Sequence, residues 1–264
     1  MARSITVIAL AAIVALAATG PVAAATTHKK VTPKAAVPAV DPAVAAIAAS
    51  VSDPGRPAAD VARDTARKPA EMLAFAGLKP GDTVLEILPG GGYFTRLISK
   101  VVGPTGHVYA GAPAGKMQEA ATAIAADPAY ANVTIVGLDA AATSALPSLD
   151  LIWTSQNYHD LHLTRVHQDP VAIDKLWLSK LKTGGSLIII DHAALAGAPV
   201  VATADTLHRI DPAAARAEVE SAGFVFDSKS DALANPADSH TANVFDASIR
   251  GKTDQFAFRF KKPG

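Results

Sequence analysis

The chain has 264 residues, half of them hydrophobic, with 24 basic against 24 acidic side chains and no cysteine. That length suits one large domain or a domain with extensions, and the balanced charge with few aromatics supplies neither the basic surface nor the stacking platforms of a nucleic-acid binder. The missing cysteine excludes disulfides, thiolate metal sites, a cysteine nucleophile and a lipidated-cysteine anchor.

Arg3 gives the N-terminus a short positive region, residues 5–18 are apolar and uncharged, Pro21 breaks the run, and Ala23-Ala24-Ala25 offers small residues to a signal peptidase. The run falls short of the ~20 residues of a membrane-spanning helix. The expectation is a cleavable signal peptide over residues 1–25, cut after Ala25. The mature chain would then have no membrane span and would be periplasmic in a Gram-negative cell. Residues 26–40, rich in Thr, Lys, Pro and Ala, predict a flexible linker. Residues 41–264 read as one α/β domain with an N-terminal helical extension.

That extension holds a short alanine-rich helix over 41–51 and a helical pattern over 57–76, with Val61, Met72, Leu73 and Phe75 as core candidates. Pro69 opens a second helix, because its missing N–H is harmless only in a first turn, and Gly77 ends it. Short apolar runs then alternate with helical ones, the pattern of a parallel sheet covered on both faces. Strands are predicted at 83–88, 106–111, 133–136, 149–155, 186–191, 224–226 and 255–260. Helices are predicted at 93–102, 116–126, 169–181 and 212–222. The last strand alternates apolar and polar residues as an antiparallel edge strand does. Residues 229–253 lack periodicity, and loops of that length are functional or mobile.

The first strand ends in Glu86 and runs through Leu88 into Pro89-Gly90-Gly91-Gly92-Tyr93. Strand, glycines, helix is the geometry that lets a backbone approach a ligand at the carboxyl end of a sheet. Other polar residues fall beyond strand ends: Asn157-Tyr158-His159-Asp160, Asp191-His192, His208-Arg209-Ile210-Asp211 and Asp238-Ser239-His240. One reading makes His159 or His192 a general base, since imidazole titrates near working pH. A second has His192, His208 and His240 bind a divalent metal with Asp191, although no pair stands at metal-ligand spacing. A third has the histidines cap helices and pair with nearby acids. His162 and His167 read as surface positions. Arg63, Asp64, Arg67 and Lys68 form either a carboxylate clamp or a solvated helix face.

The glycine-rich loop with its acid, Leu149-Asp150-Leu151-Ile152 and Leu181-Lys182-Thr183-Gly184-Gly185-Ser186-Leu187 resemble motifs of the class I S-adenosylmethionine-dependent methyltransferases. The segments Arg63-Asp64 with Arg67-Lys68-Pro69, Pro89 to Tyr93, and Ile249-Arg250-Gly251-Lys252-Thr253-Asp254 are similar to predicted secreted methyltransferases of proteobacteria. The resemblance implies a Rossmann-like α/β sheet, mostly parallel, of seven strands with the last antiparallel, and helices on both faces. It implies S-adenosylmethionine as cofactor, with Glu86, Pro89, Gly90, Gly91 and Gly92 on its ribose and amino-acid side and Asp139 at adenine. Asn157 and Tyr158 would line the same pocket, and His159 and His192 are the catalytic candidates. Leu88 stands where the family has its first glycine, and Ala112 where it has the acid that holds the ribose. The implied function is methyl transfer to a small or exposed acceptor. The alternatives are a non-catalytic small-ligand binder on this fold and a metal-assisted hydrolase built on the histidines.

Overall fold

The computed structural model describes residues 40–264, so the expected signal peptide and all but the last residue of the expected linker lie outside the described residues. Asp41 caps the first helix, α1 (Pro42–Val51), by accepting from the Ala43 N–H at 2.8 Å. Two one-turn helices follow, α2 (Ala58–Val61) and α3 (Asp64–Arg67). Pro69 opens α4 (Pro69–Ala76) at its first position, and Gly77 closes it at φ 73°. Met72 and Leu73 are buried as expected, whereas Val61 is 49 % exposed, because the one-turn α2 turns it outward.

The remaining elements are β1 (Thr83–Ile87), α5 (Tyr93–Val102), β2 (His107–Gly111), α6 (Lys116–Ala125), β3 (Val133–Val136), α7 (Ala140–Ala145), β4 (Leu149–Ser155), α8 (Pro170–Lys180), β5 (Leu181–His192), α9 (Val200–Leu207), α10 (Pro212–Ser221), β6 (Val225–Ser230) and β7 (Gln255–Lys261). They form a seven-stranded sheet in the order β3-β2-β1-β4-β5-β7-β6. β1 to β5 are parallel, and β7 runs antiparallel between β5 and β6. The last strand is therefore antiparallel but not at the edge. Its alternation reflects two different faces: Phe256, Phe258 and Phe260 enter one core, while Ala257 enters the other and Arg259 bonds the Phe75 carbonyl.

Side chains alternate across a strand, so each strand feeds two cores. Val84, Leu151 and Trp153 pack with Phe94, Leu97 and Ile98 of α5, and Leu85, Ile87 and Ile152 pack with Trp177 of α8 and Val219 of α10. Helices thus cover both faces, which is what near-continuous apolar strands require. Glu86 points to the α5 side, as Val84 does, and is the one carboxylate carried by β1.

At the carboxyl end of β1 the chain turns sharply. Leu88 takes φ 51°, Gly90 55° and Gly92 78°. The left-handed conformation costs an L-residue roughly 1–2 kcal/mol, so Leu88 occupies a backbone state that a glycine takes freely. Asn157, after β4, holds that turn by donating to the Ile87 and Leu88 carbonyls at 3.1 and 3.2 Å. A Cβ on Gly92 would fall 1.8 Å from Ile124 Cδ1, so α6 packs against the loop where glycine leaves room.

Candidate active site

A two-lobed cleft opens beyond the carboxyl ends of β1 and β4, the place where open α/β sheets bind ligands. The narrow lobe has a volume of about 220 Å³, with Arg63, Arg67, Glu86, Gly90, Gly91 and Gln156 on its walls. The wide lobe has about 680 Å³ and is lined mainly by apolar groups such as Ala112, Leu138, Leu161 and Trp177, with Gln118 and Asp139 among its polar ones. Asn157 and Asp160 line both lobes and mark their junction.

Glu86 lies at the floor of the narrow lobe, 3 % exposed, and its Oε2 has no hydrogen-bond partner among the described residues. Burial raises its pKa from 4.5 to about 7, against smaller opposing effects of Thr95, Arg67 and Arg96. An unsatisfied buried carboxylate oxygen costs about 1–3 kcal/mol or more, and it points to a partner that the protein alone does not supply. Arg67 is the opposing charge. Its guanidinium lies 4.8 Å from the Tyr93 ring centre and donates to Gln156 Oε1 at 2.6 Å. Burial and then the charge of Arg63 lower its pKa to about 10, so it stays cationic near neutrality.

Supporting contacts fix these groups. Asp64 accepts from Arg56 at 2.6 and 2.7 Å and from the Tyr93 hydroxyl at 2.6 Å. Arg96 bonds Asp60 and the Gly91 and Gly92 carbonyls at 2.7, 3.0 and 3.2 Å, pinning the glycine loop from behind. The charged cluster before the core therefore divides: Arg63 and Arg67 face the cleft, and Asp64 is structural.

The expected site residues are placed unequally. Glu86, Pro89, Gly90, Gly91, Asn157 and Asp139 line the cleft, and Gly92 lies just behind it as the cap of α5. The Asn157 amide is already engaged, since its oxygen accepts from Thr154 and its nitrogen holds the Leu88 turn. Tyr158 does not line the cleft. Its ring is buried 6.4 Å from Trp177, and its hydroxyl sits between Asp174 and Glu218 at 2.7 and 2.6 Å. The 3₁₀ turn Tyr158–His162 directs it into the core. His162 is not a surface side chain either, being 8 % exposed and 3.2 Å from Glu218.

Asp174 is buried and its pKa rises, chiefly by desolvation, to about 8. A raised carboxyl pKa means that the fold favours the protonated form, so this contribution to stability is present below pH 4 and is lost as pH rises through 8. Between pH 7 and pH 9 the wild type should lose about 1–2 kcal/mol from this group. Asp174→Asn should flatten that decline, as read by urea denaturation at both pH values.

The histidines are also sorted. His240 bonds Asp254 at 2.9 Å, away from the others. His192 is buried, its Nδ1 is 2.7 Å from the Thr253 hydroxyl, and desolvation lowers its pKa to about 4. It lines neither lobe, so direct contact with a ligand in the cleft is not open to it. His159 is buried with Nδ1 2.8 Å from Asp191, which also accepts from the His159 and His192 backbone N–H groups at 2.7 Å. Burial works against protonation of His159, but Asp191 outweighs it and the net pKa is raised. Its Nε2 faces His208 Nδ1 at 3.3 Å and Asp160 Oδ1 at 3.5 Å rather than the open cleft. His208, a ligand candidate by sequence, caps α9 at φ 54° and meets His159, not His192 or His240.

The family model of protein-L-isoaspartate(D-aspartate) O-methyltransferase matches residues 60–194, which hold β1, the glycine loop, β4 and β5 up to His192. The chain belongs to this family. No curated protein matches the sequence. Among solved structures, a SAM-dependent methyltransferase from Aquifex aeolicus is 20 % identical, with a TM-score of 0.55 over 84 % of this chain and 98 % of that one. Fibrillarin from Aeropyrum pernix with natively bound S-adenosyl-L-methionine is 16 % identical, with a TM-score of 0.50 over 75 % of this chain and 76 % of the other. The [4+2]-cyclase SpnF is 17 % identical, with a TM-score of 0.54 over 84 % and 93 % of the two chains. At these identities the likeness is one of fold: a Rossmann-like methyltransferase sheet, whose cofactor, by family and fold together, is S-adenosylmethionine. No helix among the described residues is long and apolar enough to cross a membrane.

Proposed function

We propose that this family member transfers the methyl group of S-adenosylmethionine to an oxygen acceptor that reaches the cleft at the junction marked by Asn157 and Asp160. The observation that carries the reading is the pairing of a buried, unpartnered carboxylate, Glu86, with the cationic Arg67 in one small lobe beside a wide apolar one. An α-amino-acid group carries a carboxylate and an ammonium, and the narrow lobe offers a partner for each. Arg67 and Arg63 bind the carboxylate, and Glu86 takes the ammonium through charge-assisted bonds. Gly90 and Gly91 leave open space, with nothing within 4 Å of an added Cβ. The wide lobe encloses the adenosine, with Asp139 and Gln118 among its polar groups. Ala112 is fully buried at the end of β2, so the ribose hydroxyls have no carboxylate there.

The bound cofactor supplies a methyl on a positively charged sulfur, and the protein's part is then to bring the acceptor into line, which is worth most of the acceleration in such displacements. Asp160 faces that position. The family name specifies an O-methyltransferase acting on an isoaspartyl carboxyl, so a carboxylate oxygen is the first acceptor class to test. The acceptor is a small molecule or an exposed group rather than nucleic acid, in line with the neutral net charge. The apolar N-terminal run supports export to the periplasm.

Calorimetric titration with S-adenosylmethionine and S-adenosylhomocysteine tests the reading. Gly91 has an ordinary backbone conformation, and a Cβ added there has no protein atom within 4 Å. Gly91→Val should therefore leave stability within about 0.5 kcal/mol of wild type while weakening both ligands by about 10-fold or more, a loss of 1.4 kcal/mol or more. Absence of heat with either ligand in the wild type would sink the cofactor assignment.

A further inference from the structure

Next to the junction of the two lobes, His159, Asp160 and His208 each offer one ligand atom, all within 4.8 Å of one another. The individual separations are 3.3 Å from His159 Nε2 to His208 Nδ1, 3.5 Å from His159 Nε2 to Asp160 Oδ1, and 4.0 Å from His208 Nδ1 to Asp160 Oδ1. Two nitrogens each about 2.0–2.1 Å from a tetrahedral zinc stand about 3.4 Å apart. The histidine pair is already at that spacing.

We propose that His159, Asp160 and His208 form a site for a divalent transition-metal ion of the zinc or cobalt class, with an open position toward the cleft. Three observations beyond the spacing support it. The Asp191 carboxylate holds Nδ1 of His159, which fixes the ring with its Nε2 toward the other two groups. This is the carboxylate–histidine arrangement that orients metal-binding imidazoles. The Asp160 carboxylate accepts no hydrogen bond from any described residue, so it is free to ligate. The set is graded in exposure, with side chains 3 % exposed at His159, 20 % at His208 and 31 % at Asp160, and Asp160 lines the cleft while the two histidines stand behind it, so the ion's open position would lie on the Asp160 side. An open position is the mark of catalytic rather than structural zinc.

Two further features hold the ligands apart from a plain hydrogen-bonded pair. His208 is kept in the left-handed region at φ 54°, ψ 49° as the cap of α9, a state that persists only where its surroundings impose it. The Phe245 ring meets the imidazole edge-to-face, with centres 5.0 Å apart. Arg165 is a cation near enough to oppose positive charge at His159, and it lines the wide lobe. A bound carboxylate acceptor could neutralise it. Ion binding stands without the cofactor reading; an acceptor oxygen at the open position rests on it, and titrations with metal and with S-adenosylhomocysteine fail independently.

The test uses the full chain, stripped with chelator and titrated with Co(II) while visible d–d absorption is followed. One equivalent should saturate an absorption of tetrahedral or five-coordinate intensity. His208→Asn, which tolerates the left-handed backbone, and Asp160→Ala should each weaken Co(II) by about 100-fold or abolish the band. Asp191→Asn should weaken it by about 10- to 100-fold through the outer contact. His240→Ala, outside the cluster, should match wild type. Absence of the band in the wild type overturns the proposal, whatever the variants do. So does a wild-type band that survives His208→Asn and Asp160→Ala unchanged, or one that is lost in His240→Ala alone.

Discussion

Replacing Glu86 by glutamine is expected to stabilise the ligand-free protein at pH 8 by on the order of 3 kcal/mol and to weaken cofactor binding by about 10- to 100-fold. The two effects share one cause. The carboxyl is buried and its pKa stands at about 7 instead of 4.5, so the fold prefers it protonated. Its contribution to stability is therefore present below pH 4.5 and is lost as pH rises through 7. At pH 8 the wild type carries an ionised carboxylate with an orphaned oxygen, and glutamine removes that cost. At pH 5 the folded acid is protonated and the gap between the two proteins should shrink to within about 1 kcal/mol. Binding runs the other way, because the ionised form is what an ammonium needs. Wild-type affinity for S-adenosylhomocysteine should tighten from pH 6 to pH 8 with release of a proton, and the Glu86→Gln profile should be flat in that range. Urea denaturation and calorimetry at the two ends of the range check both halves. A variant less stable than wild type at pH 8, or one that binds as tightly, contradicts the account of the narrow lobe. Function retained at the expense of stability is a common trade at such sites.

The second large effect lies outside the cleft. Arg209 is fully buried, donates to Asp238 at 2.8 and 3.2 Å, and also reaches the Ala193 and Ala242 carbonyls at 2.9 and 3.0 Å. Asp238 in turn accepts from the His240 and Asp254 N–H groups at 3.0 and 2.7 Å. This single pair straps loop 231–254 to the end of β5. Breaking a buried pair leaves an uncompensated charge and costs about 3–5 kcal/mol, so Arg209→Met should lose that much in urea denaturation. Adding Asp238→Asn removes the stranded charge while keeping an acceptor, and should recover about 1–2 kcal/mol. Burial raises the Asp238 pKa, but Arg209 and the two amides outweigh it and leave it depressed. The strap is therefore at full strength above pH 4 and weakens only as pH falls through the depressed value. Because the loop carries Phe245 over His208 and Thr253 against His192, the single variant should also loosen the histidine cluster. A double variant no more stable than the single one would contradict this description of the strap.

The sequence makes some of this legible and hides the rest for physical reasons. The apolar β1 run, Glu86 and the glycines announce the loop, because each residue type there answers a local backbone demand. The sheet's mixed character was readable, but the alternation of β7 reports which faces its side chains meet, not which strands flank it, so its interior position between β5 and β6 could not be read. β5 begins at Leu181, earlier than Lys182-Thr183-Gly184-Gly185 suggests, because Leu181 pairs with Leu149 across an irregularity in β4. α9 is rich in β-branched Val200, Val201, Thr203 and Thr206, whose local preference argues against a helix; packing against the turn Tyr158–His162 overrides it. At the site, Arg67 and Gln156 meet from 89 positions apart, and His159 and His208 from 49. No periodicity carries such pairings, and Tyr158 faces the core instead of the cleft because a turn of one residue more or less decides which way a side chain points.

In the proposed complex, Glu86 and Arg67 hold the amino-acid end of S-adenosylmethionine beneath the glycine loop, with adenosine in the wide lobe. A crystal structure with S-adenosylhomocysteine tests it most directly. The ligand's ammonium should lie within hydrogen-bond distance of Glu86, its carboxylate on Arg67, and its sulfur at the junction facing Asp160. Ligand density elsewhere, or an empty cleft at saturating concentration, would contradict it.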